Sequence, residues 1–113
     1  YFVGAVGMDP FGQQIMRNLK DEGVNVGYTH ESLDYPSGTA YVTAAENRNT
    51  IIVVPSANAA LSPKYVKEIE KFFNTADLIL LQLEIPMETV EFTVQLAKKY
   101  NVKIGLYAAP AKN

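Results

Sequence analysis

The chain has 113 residues, with ten basic and twelve acidic side chains, and 48% of its residues are hydrophobic. This length fits one domain, and the composition excludes a disordered tail and a membrane bundle. The net charge of −2 offers no basic surface for nucleic acid or anionic lipid, so neither is expected as a partner. The lack of cysteine excludes disulfides, thiolate catalysis and cysteine-ligated metal. We therefore expect a cytoplasmic protein that binds a small molecule.

The first residue is Tyr1 rather than methionine, and the apolar stretch Tyr1–Val6 is typical of a strand. This stretch lacks the basic region and cleavage site of a signal peptide, and no apolar run reaches the roughly 20 residues of a membrane helix. A parallel sheet that begins in this way needs further layers. We expect residues 1–113 to be the central portion of one domain of a larger protein, with N- and C-terminal parts missing.

A helix is predicted after the first strand. Asp9 can cap its N-terminus, and Pro10 suits the first helical position. Apolar residues recur with helical spacing as far as Leu19, and Gly23 stands where a left-handed residue commonly ends a helix. The stretch Val24–His30 then predicts a short extended segment.

Two strands that form an antiparallel hairpin are predicted between about residues 37 and 55. Small apolar residues alternate along the first strand, at Ala40, Val42 and Ala44. Residues 46–49 predict a turn, and Thr50–Val54 is a second, β-branched strand. The connection is too short to cross over, so the pairing must be antiparallel. The small apolar face predicts either core packing or the inner wall of a lid.

The second half predicts a helix, a strand, a helix and a strand. Ser62 and Pro63 open the first helix, which the apolar spacing extends to Phe73. Residues 77–83 contain the continuous apolar run Leu78–Leu81, which predicts a strand buried on both faces. A helix follows from Pro86, and residues 102–106 predict another buried strand. The fold class is therefore α/β, with a parallel sheet and an antiparallel β-hairpin.

Glu84 is the most informative single residue, because ligands of open α/β sheets bind beyond the carboxyl ends of the strands. It follows a strand and precedes the helix that begins near Pro86. A carboxylate there can stabilise the positive N-terminus of the helix, or it can accept hydrogen bonds from hydroxyl groups of a polar ligand. The glycines of the first turn do not have dinucleotide-binding or phosphate-loop spacing. No nucleophile–base pair can be assembled, so no catalytic residue is assigned in this chain.

Several segments together resemble the ribokinase-type (PfkB) sugar kinases, in family order and over essentially the whole chain. Val6–Gly12 resembles the V-G-x-D-x-x-G strand–turn–helix, and Ser37–Val42 resembles the T-G-x-A strand. Asn49–Asn58 is similar to the strand before the G-A-N loop, Leu81–Pro86 to Q-L-E-x-P, and Ala109–Ala111 to the end of N-P-A-P-A. The resemblance implies part of a three-layer sheet with the hairpin as a lid.

The resemblance also implies a substrate site and a reaction. Glu84 matches the glutamate that hydrogen-bonds ribose hydroxyls, and Ala40, Val42 and Val53 match apolar lid positions against the sugar. The implied reaction is transfer of the γ-phosphoryl group of ATP to the 5-hydroxyl of D-ribose. ATP, magnesium and a monovalent cation are the implied cofactors, with their sites outside this chain, and a homodimer through the lid sheet is the implied assembly.

The chain departs from the family pattern at two places. Ser56 replaces the glycine of G-A-N, and Tyr107 with Ala108 stands where Asn-Pro is usual. The catalytic aspartate, its anion hole and the magnesium-linked motif have no match in these residues, so the isolated chain is expected to be inactive. Three alternatives stay open: a non-catalytic sugar-binding module, a dimerisation module that kept the lid, and another PfkB-family kinase that acts on fructose or a nucleoside.

Overall fold

The computed structural model describes residues 1–45 and 48–110, which fall into two compact units, Tyr1–Ala60 and a second that begins at Leu61. The first unit contains β1 (Val3–Gly7), α1 (Pro10–Asp21), β2 (Tyr28–Ser32), β3 (Thr39–Ala45), β4 (Arg48–Val54) and α2 (Ala57–Ala60). The second contains α3 (Pro63–Glu68), a 3-10 helix (Glu70–Thr75), β5 (Leu78–Leu81), α4 (Met87–Lys99) and β6 (Lys103–Leu106). The predicted α/β class is confirmed.

The first unit is built on the parallel pair β1–β2, which α1 connects. Val6, Met16 and Val26 form its buried apolar cluster, and Leu19 packs against it. Only part of the predicted apolar side of α1 faces this core, because Phe11 and Ile15 are 62% and 39% exposed. The helix ends as predicted, with Gly23 at a φ of 75° and the Val24 amide donating to the Leu19 carbonyl. The extended segment predicted over Val24–His30 is displaced, because the strand begins at Tyr28.

The predicted hairpin is confirmed as the antiparallel pair β3–β4, in which Thr39 lies opposite Val54 and Ala45 opposite Arg48. The turn predicted over residues 46–49 is wrong in its second half, because positions 48 and 49 already pair within β4. Residues 46 and 47, its first half, lie outside the described residues. The cross-strand pairing therefore runs further toward the tip than the polar run at 46–49 predicts.

The second unit packs α4 against the parallel pair β5–β6. Its core consists of buried side chains from α3, the 3-10 helix, α4 and the residue before β6, namely Val66, Phe73, Leu96, Ala97 and Val102. Buried Thr89 donates its hydroxyl to the Leu61 carbonyl at 2.7 Å, which fixes the start of α4 to the segment before α3. α4 is predicted correctly and begins one residue after Pro86.

Two predictions for this unit are wrong. The helix predicted to run to Phe73 ends at Glu68, and the following residues form a 3-10 helix that keeps Phe73 in the core. The prediction that both strands of this unit are buried also fails, because Leu78 and Leu80 of β5 are 53% and 77% exposed and Leu106 of β6 is 54% exposed. Ile79 points to the core cluster, while the opposite face of the strand is uncovered by the described residues of this unit.

Candidate functional site

The register of the hairpin places its side chains on two faces. Residues directly opposite each other lie on the same face, and so does every second residue along each strand. Ala40 lies opposite Val53, and Val42 lies opposite Ile51. These four residues form what we call the Ala40 face, and the opposite, Tyr41 face carries Tyr41 opposite Ile52. The structure thus brings together the three predicted lid residues. Ile51 was missed, although the alternation of the second strand could have indicated it.

The Ala40 face is open within the first unit. Val42 and Val53 are 60% and 59% exposed, and Ala40 is exposed as well. Of the two interpretations of this face, burial in the core of its own unit is therefore wrong. An exposed apolar strand face of this kind is available to cover a ligand or to contact another surface.

The hairpin is anchored where it leaves the rest of the first unit. Asp9 Oδ1 accepts hydrogen bonds from the Gly12 amide and the Ser37 hydroxyl, both at 2.8 Å, and Oδ2 accepts from the Ser37 amide at 2.6 Å. The Ser37 oxygen in turn accepts from the Gly7 amide at 3.0 Å. These donors, with the Gly12 amide first and the Ser37 amide second, hold the pKa of the Asp9 carboxyl below its usual range. Asp9 thus caps α1 as predicted and, in addition, accepts two hydrogen bonds from Ser37.

Glu84 lies in the second unit, at the joined carboxyl ends of its two strands. The Tyr107 amide donates to the Leu81 carbonyl at 2.8 Å, and the Leu83 amide donates to the Ala109 carbonyl at 3.0 Å. The Glu84 amide donates to the Gln82 side chain at 2.7 Å, which fixes the backbone beneath the carboxylate. The position predicted for Glu84, beyond the end of a parallel strand, is confirmed.

The Glu84 carboxylate is exposed, and no side chain hydrogen-bonds to the first turn of α4 in the described part of the chain. A hydrogen-bonded cap at this helix N-terminus is therefore not what Glu84 provides. An exposed carboxylate whose backbone is held by hydrogen bonds can accept bonds from hydroxyl groups of a ligand. The last of the predicted motifs is described through Pro110, and its final residue, Ala111, lies outside the described residues.

The described residues, 1–45 and 48–110, contain no group of three or more histidine, aspartate or glutamate side chains that could hold a metal ion. Over the same ranges, no helix is both long and apolar enough to cross a membrane.

The fold is that of the ribokinase-like α/β carbohydrate kinases. The solved structure of an Arabidopsis thaliana ribokinase complexed with ribose and ATP is 32% identical and aligns with 94% of this chain at a TM-score of 0.85. Residues 1–112 match the pfkB family of carbohydrate kinases. The chain therefore belongs to the pfkB carbohydrate kinase family.

Two relatives illustrate the range of sugars within the similarity. A ribokinase of Bacillus subtilis is 37% identical over 112 residues, and a deoxyribokinase of Salmonella typhi is 34% identical over 107 residues. These alignments cover 99% and 94% of this chain. The chain spans 38% and 35% of those two proteins, and 35% of the Arabidopsis chain.

Proposed function

We propose that this chain is the central portion of a cytoplasmic sugar kinase that transfers the γ-phosphoryl group of ATP to the 5-hydroxyl of D-ribose. The observation that carries the proposal is Glu84, an exposed carboxylate at the joined ends of β5 and β6 in a member of the pfkB family. A carboxylate suits a polyhydroxylated ligand, since each hydroxyl donates a charge-assisted hydrogen bond to it. The reaction belongs to the complete polypeptide, since no catalytic base is assigned among these residues.

The apolar Ala40 face provides the second part of the proposed site. Ala40, Val42 and Val53 would lie against the carbon skeleton of the sugar, while the carboxylate would bind its hydroxyls. A lid of this kind excludes water from the reaction, and water would otherwise compete with the sugar as phosphoryl acceptor. The exposure of this face within its own unit supports such a role.

ATP, magnesium and a monovalent cation are proposed as cofactors of the complete polypeptide, bound by residues outside this chain. When bound, magnesium supplies positive charge to the phosphate groups. A homodimer through the hairpin is also proposed, with the exposed Tyr41 face as its support.

The similarity to a deoxyribokinase favours 2-deoxyribose as a second candidate substrate. Tyr107 and Ala108 stand beside the strand ends where the family usually carries Asn-Pro, so the two sugars must be compared directly. Fructose and a nucleoside complete the test panel, because they represent the other kinases of the family. Sugar binding without turnover of any of the four would instead identify a non-catalytic binding module.

The experiment compares Glu84→Gln with the wild type in the complete polypeptide. Glutamine keeps the shape of the side chain but loses its charge, and a charge-assisted hydrogen bond contributes about 1.5–3 kcal/mol. We therefore expect kcat/KM for ribose to fall roughly tenfold to a hundredfold. Glu88→Gln is the matched control, since Glu88 is an exposed carboxylate in the first turn of α4, and it should change kcat/KM less than about twofold. Equal losses in the two variants would contradict the role given to Glu84.

A further inference from the structure

The two ends of the hairpin meet at a small hydrogen-bonded cluster, which we call the hairpin base and in which Ser37 and Ala57 are buried. It consists of residues 36–38, before β3, and residues 55–57, after β4. The Ala57 amide donates to the Pro36 carbonyl at 3.0 Å, so the segments that enter and leave the hairpin are tied to each other. A group that hydrogen-bonds to one of these two segments therefore also restrains the other.

Asp9 is the group that fixes the hairpin base to β1 and α1. Both oxygens of its carboxylate accept from Ser37, Oδ2 from the amide and Oδ1 from the hydroxyl. Ser37 is 3% exposed, and it also accepts the Gly7 amide at the end of β1. The approach is close, because a Cβ atom on Gly7 would lie 2.5 Å from the Ser37 nitrogen. The cluster therefore has little room for another arrangement.

A helix cap alone does not require this geometry. Capping of α1 uses one acceptor, Oδ1, which receives the Gly12 amide. The second oxygen, Oδ2, accepts the Ser37 amide of the hairpin base, through the shortest of the three bonds described above, at 2.6 Å. Ser62, the cap of α3, shows the simpler case, in which one side-chain oxygen accepts one amide, that of Tyr65.

We propose that Asp9 is a positioning residue for the lid: its second carboxylate oxygen holds the hairpin base in the orientation from which the Ala40 face closes over the sugar. This inference rests on the proposed function. When the binding-competent arrangement is populated less, the apparent affinity for the ligand falls by the same factor. Asp9 therefore controls KM for the sugar, while the sugar-bound, closed enzyme keeps its kcat.

Asp9→Asn separates this role from capping. Asparagine is as good an N-cap as aspartate, and its Oδ1 can still accept the Gly12 amide. Its Nδ2, however, is a donor and would face the Ser37 amide, which is also a donor. If the asparagine amide is flipped, its Nδ2 faces the Gly12 amide instead, which is also a donor. A role confined to capping predicts that this variant behaves like the wild type.

The test measures two quantities on the complete polypeptide: sugar kinetics, and hydrogen exchange of the backbone amides without sugar. In Asp9→Asn, we expect the β3–β4 amides to exchange roughly tenfold faster, and KM for the sugar to rise roughly tenfold with kcat changed less than about twofold. The β5–β6 amides, which belong to the second unit, provide an internal reference. Ser62→Ala, which removes the cap of α3, should leave hairpin exchange and KM unchanged.

Ser37→Ala is the second variant, and it keeps the proposal testable if Asp9→Asn does not fold. It removes the hydroxyl but keeps the amide that Oδ2 binds, so a smaller change in the same direction is expected. Unchanged hairpin exchange in both variants would overturn the anchoring, and faster exchange with an unchanged KM would overturn the control of sugar affinity. If the wild type phosphorylates no sugar, the proposed function fails, while faster hairpin exchange in Asp9→Asn would still support the anchoring.

Discussion

Ser56 has an unusual backbone conformation at the residue where the chain leaves the hairpin. Its φ is 46°, in the left-handed region, where an L-residue other than asparagine or aspartate is disfavoured by about 1–2 kcal/mol. It follows Pro55 and precedes α2, and its carbonyl accepts the Ala59 amide at 2.9 Å, so the conformation is part of a turn. This is also the position at which the sequence departs from the family glycine. The fold therefore accommodates serine in place of glycine at this position, but at a cost in backbone strain.

Replacement of Ser56 by glycine should stabilise the protein. Glycine adopts a positive φ without a steric penalty, but it loses more conformational entropy on folding, which offsets about 0.5–1 kcal/mol of the gain. We expect a net increase of about 0.5 kcal/mol in the free energy of unfolding, measured by urea denaturation. Asn101→Gly is the matched comparison, with a φ of 55° at a residue type that tolerates this region, and it should gain less. A loss of stability in Ser56→Gly would show that the serine side chain outweighs the backbone strain.

At the level of the elements, local capping signals predicted correctly where helices begin and where α1 ends. Apolar spacing predicted less well how far α3 continues. Asp9 and Ser62 each cap the helix that their spacing to proline indicated, and Gly23 ends the first one. These features depend on a few adjacent residues, which is why the sequence alone reveals them. The end of α3 at Glu68 depends instead on how Phe73 reaches the core of its unit, and apolar spacing cannot distinguish one long helix from a helix and a 3-10 turn.

Glu70 links the 3-10 helix to the end of α4. Its carboxylate accepts hydrogen bonds from Lys67, from Lys99 at 2.7 Å and from the Tyr100 hydroxyl at 3.0 Å. Hydrogen bonds from the Lys67 ammonium first, and then from the Lys99 ammonium and the Tyr100 hydroxyl, lower the pKa of Glu70 from its ordinary value of 4.5 to about 2. No motif marks this cluster in the sequence, because two of its three donors, on Lys99 and Tyr100, lie about 30 positions away along the chain.

The hydrogen bonds to Glu70 should make the free energy of unfolding depend on pH. The pKa of Glu70 is lower in the folded than in the unfolded state, so its contribution is complete above about pH 4.5 and is lost as the pH falls toward 2. Urea unfolding of Glu70→Gln should therefore show a deficit relative to the wild type that is constant above about pH 5 and shrinks as the pH is lowered to 3. Glu91→Gln, at an exposed carboxylate on α4, should show no such change. A deficit that is independent of pH would mean that Glu70 acts through packing rather than charge.

For the whole molecule, sequence reasoning reached the order of the elements along the chain but not the surroundings of the strands. A continuous apolar run predicted that β5 is covered on both sides, and the described residues of its unit cover one side. The apolar run indicates that both faces of the strand are to be covered. The segments that cover them need not lie in the same stretch of chain. The same limit applies to the site: Glu84 and the Ala40 face were each found from local patterns, and each lies in its own unit.

The hairpin has two apolar faces, and a single sugar can cover one of them. On the Tyr41 face, Tyr41 and Ile52 lie opposite each other and are 63% and 62% exposed. If the Ala40 face closes over the sugar as proposed, the Tyr41 face needs a different partner. A second copy of the hairpin fits this need, since a two-fold interface pairs the same surface on both subunits.

The proposed dimer makes a prediction that separates the two faces. In Ile52→Lys, each subunit loses a buried apolar side chain, worth about 1.5–3 kcal/mol, and the two-fold symmetry counts this loss twice. The dissociation constant of the dimer should rise at least about a hundredfold, as measured by sedimentation equilibrium of the complete polypeptide over a range of concentrations. Asn49→Lys introduces the same charge on the Ala40 side of the same strand, and it should leave the dimer intact. If Asn49→Lys dissociates the dimer and Ile52→Lys does not, the interface lies on the Ala40 face, and that face cannot also be the sugar lid. A wild type that remains monomeric at every concentration would contradict the dimer itself.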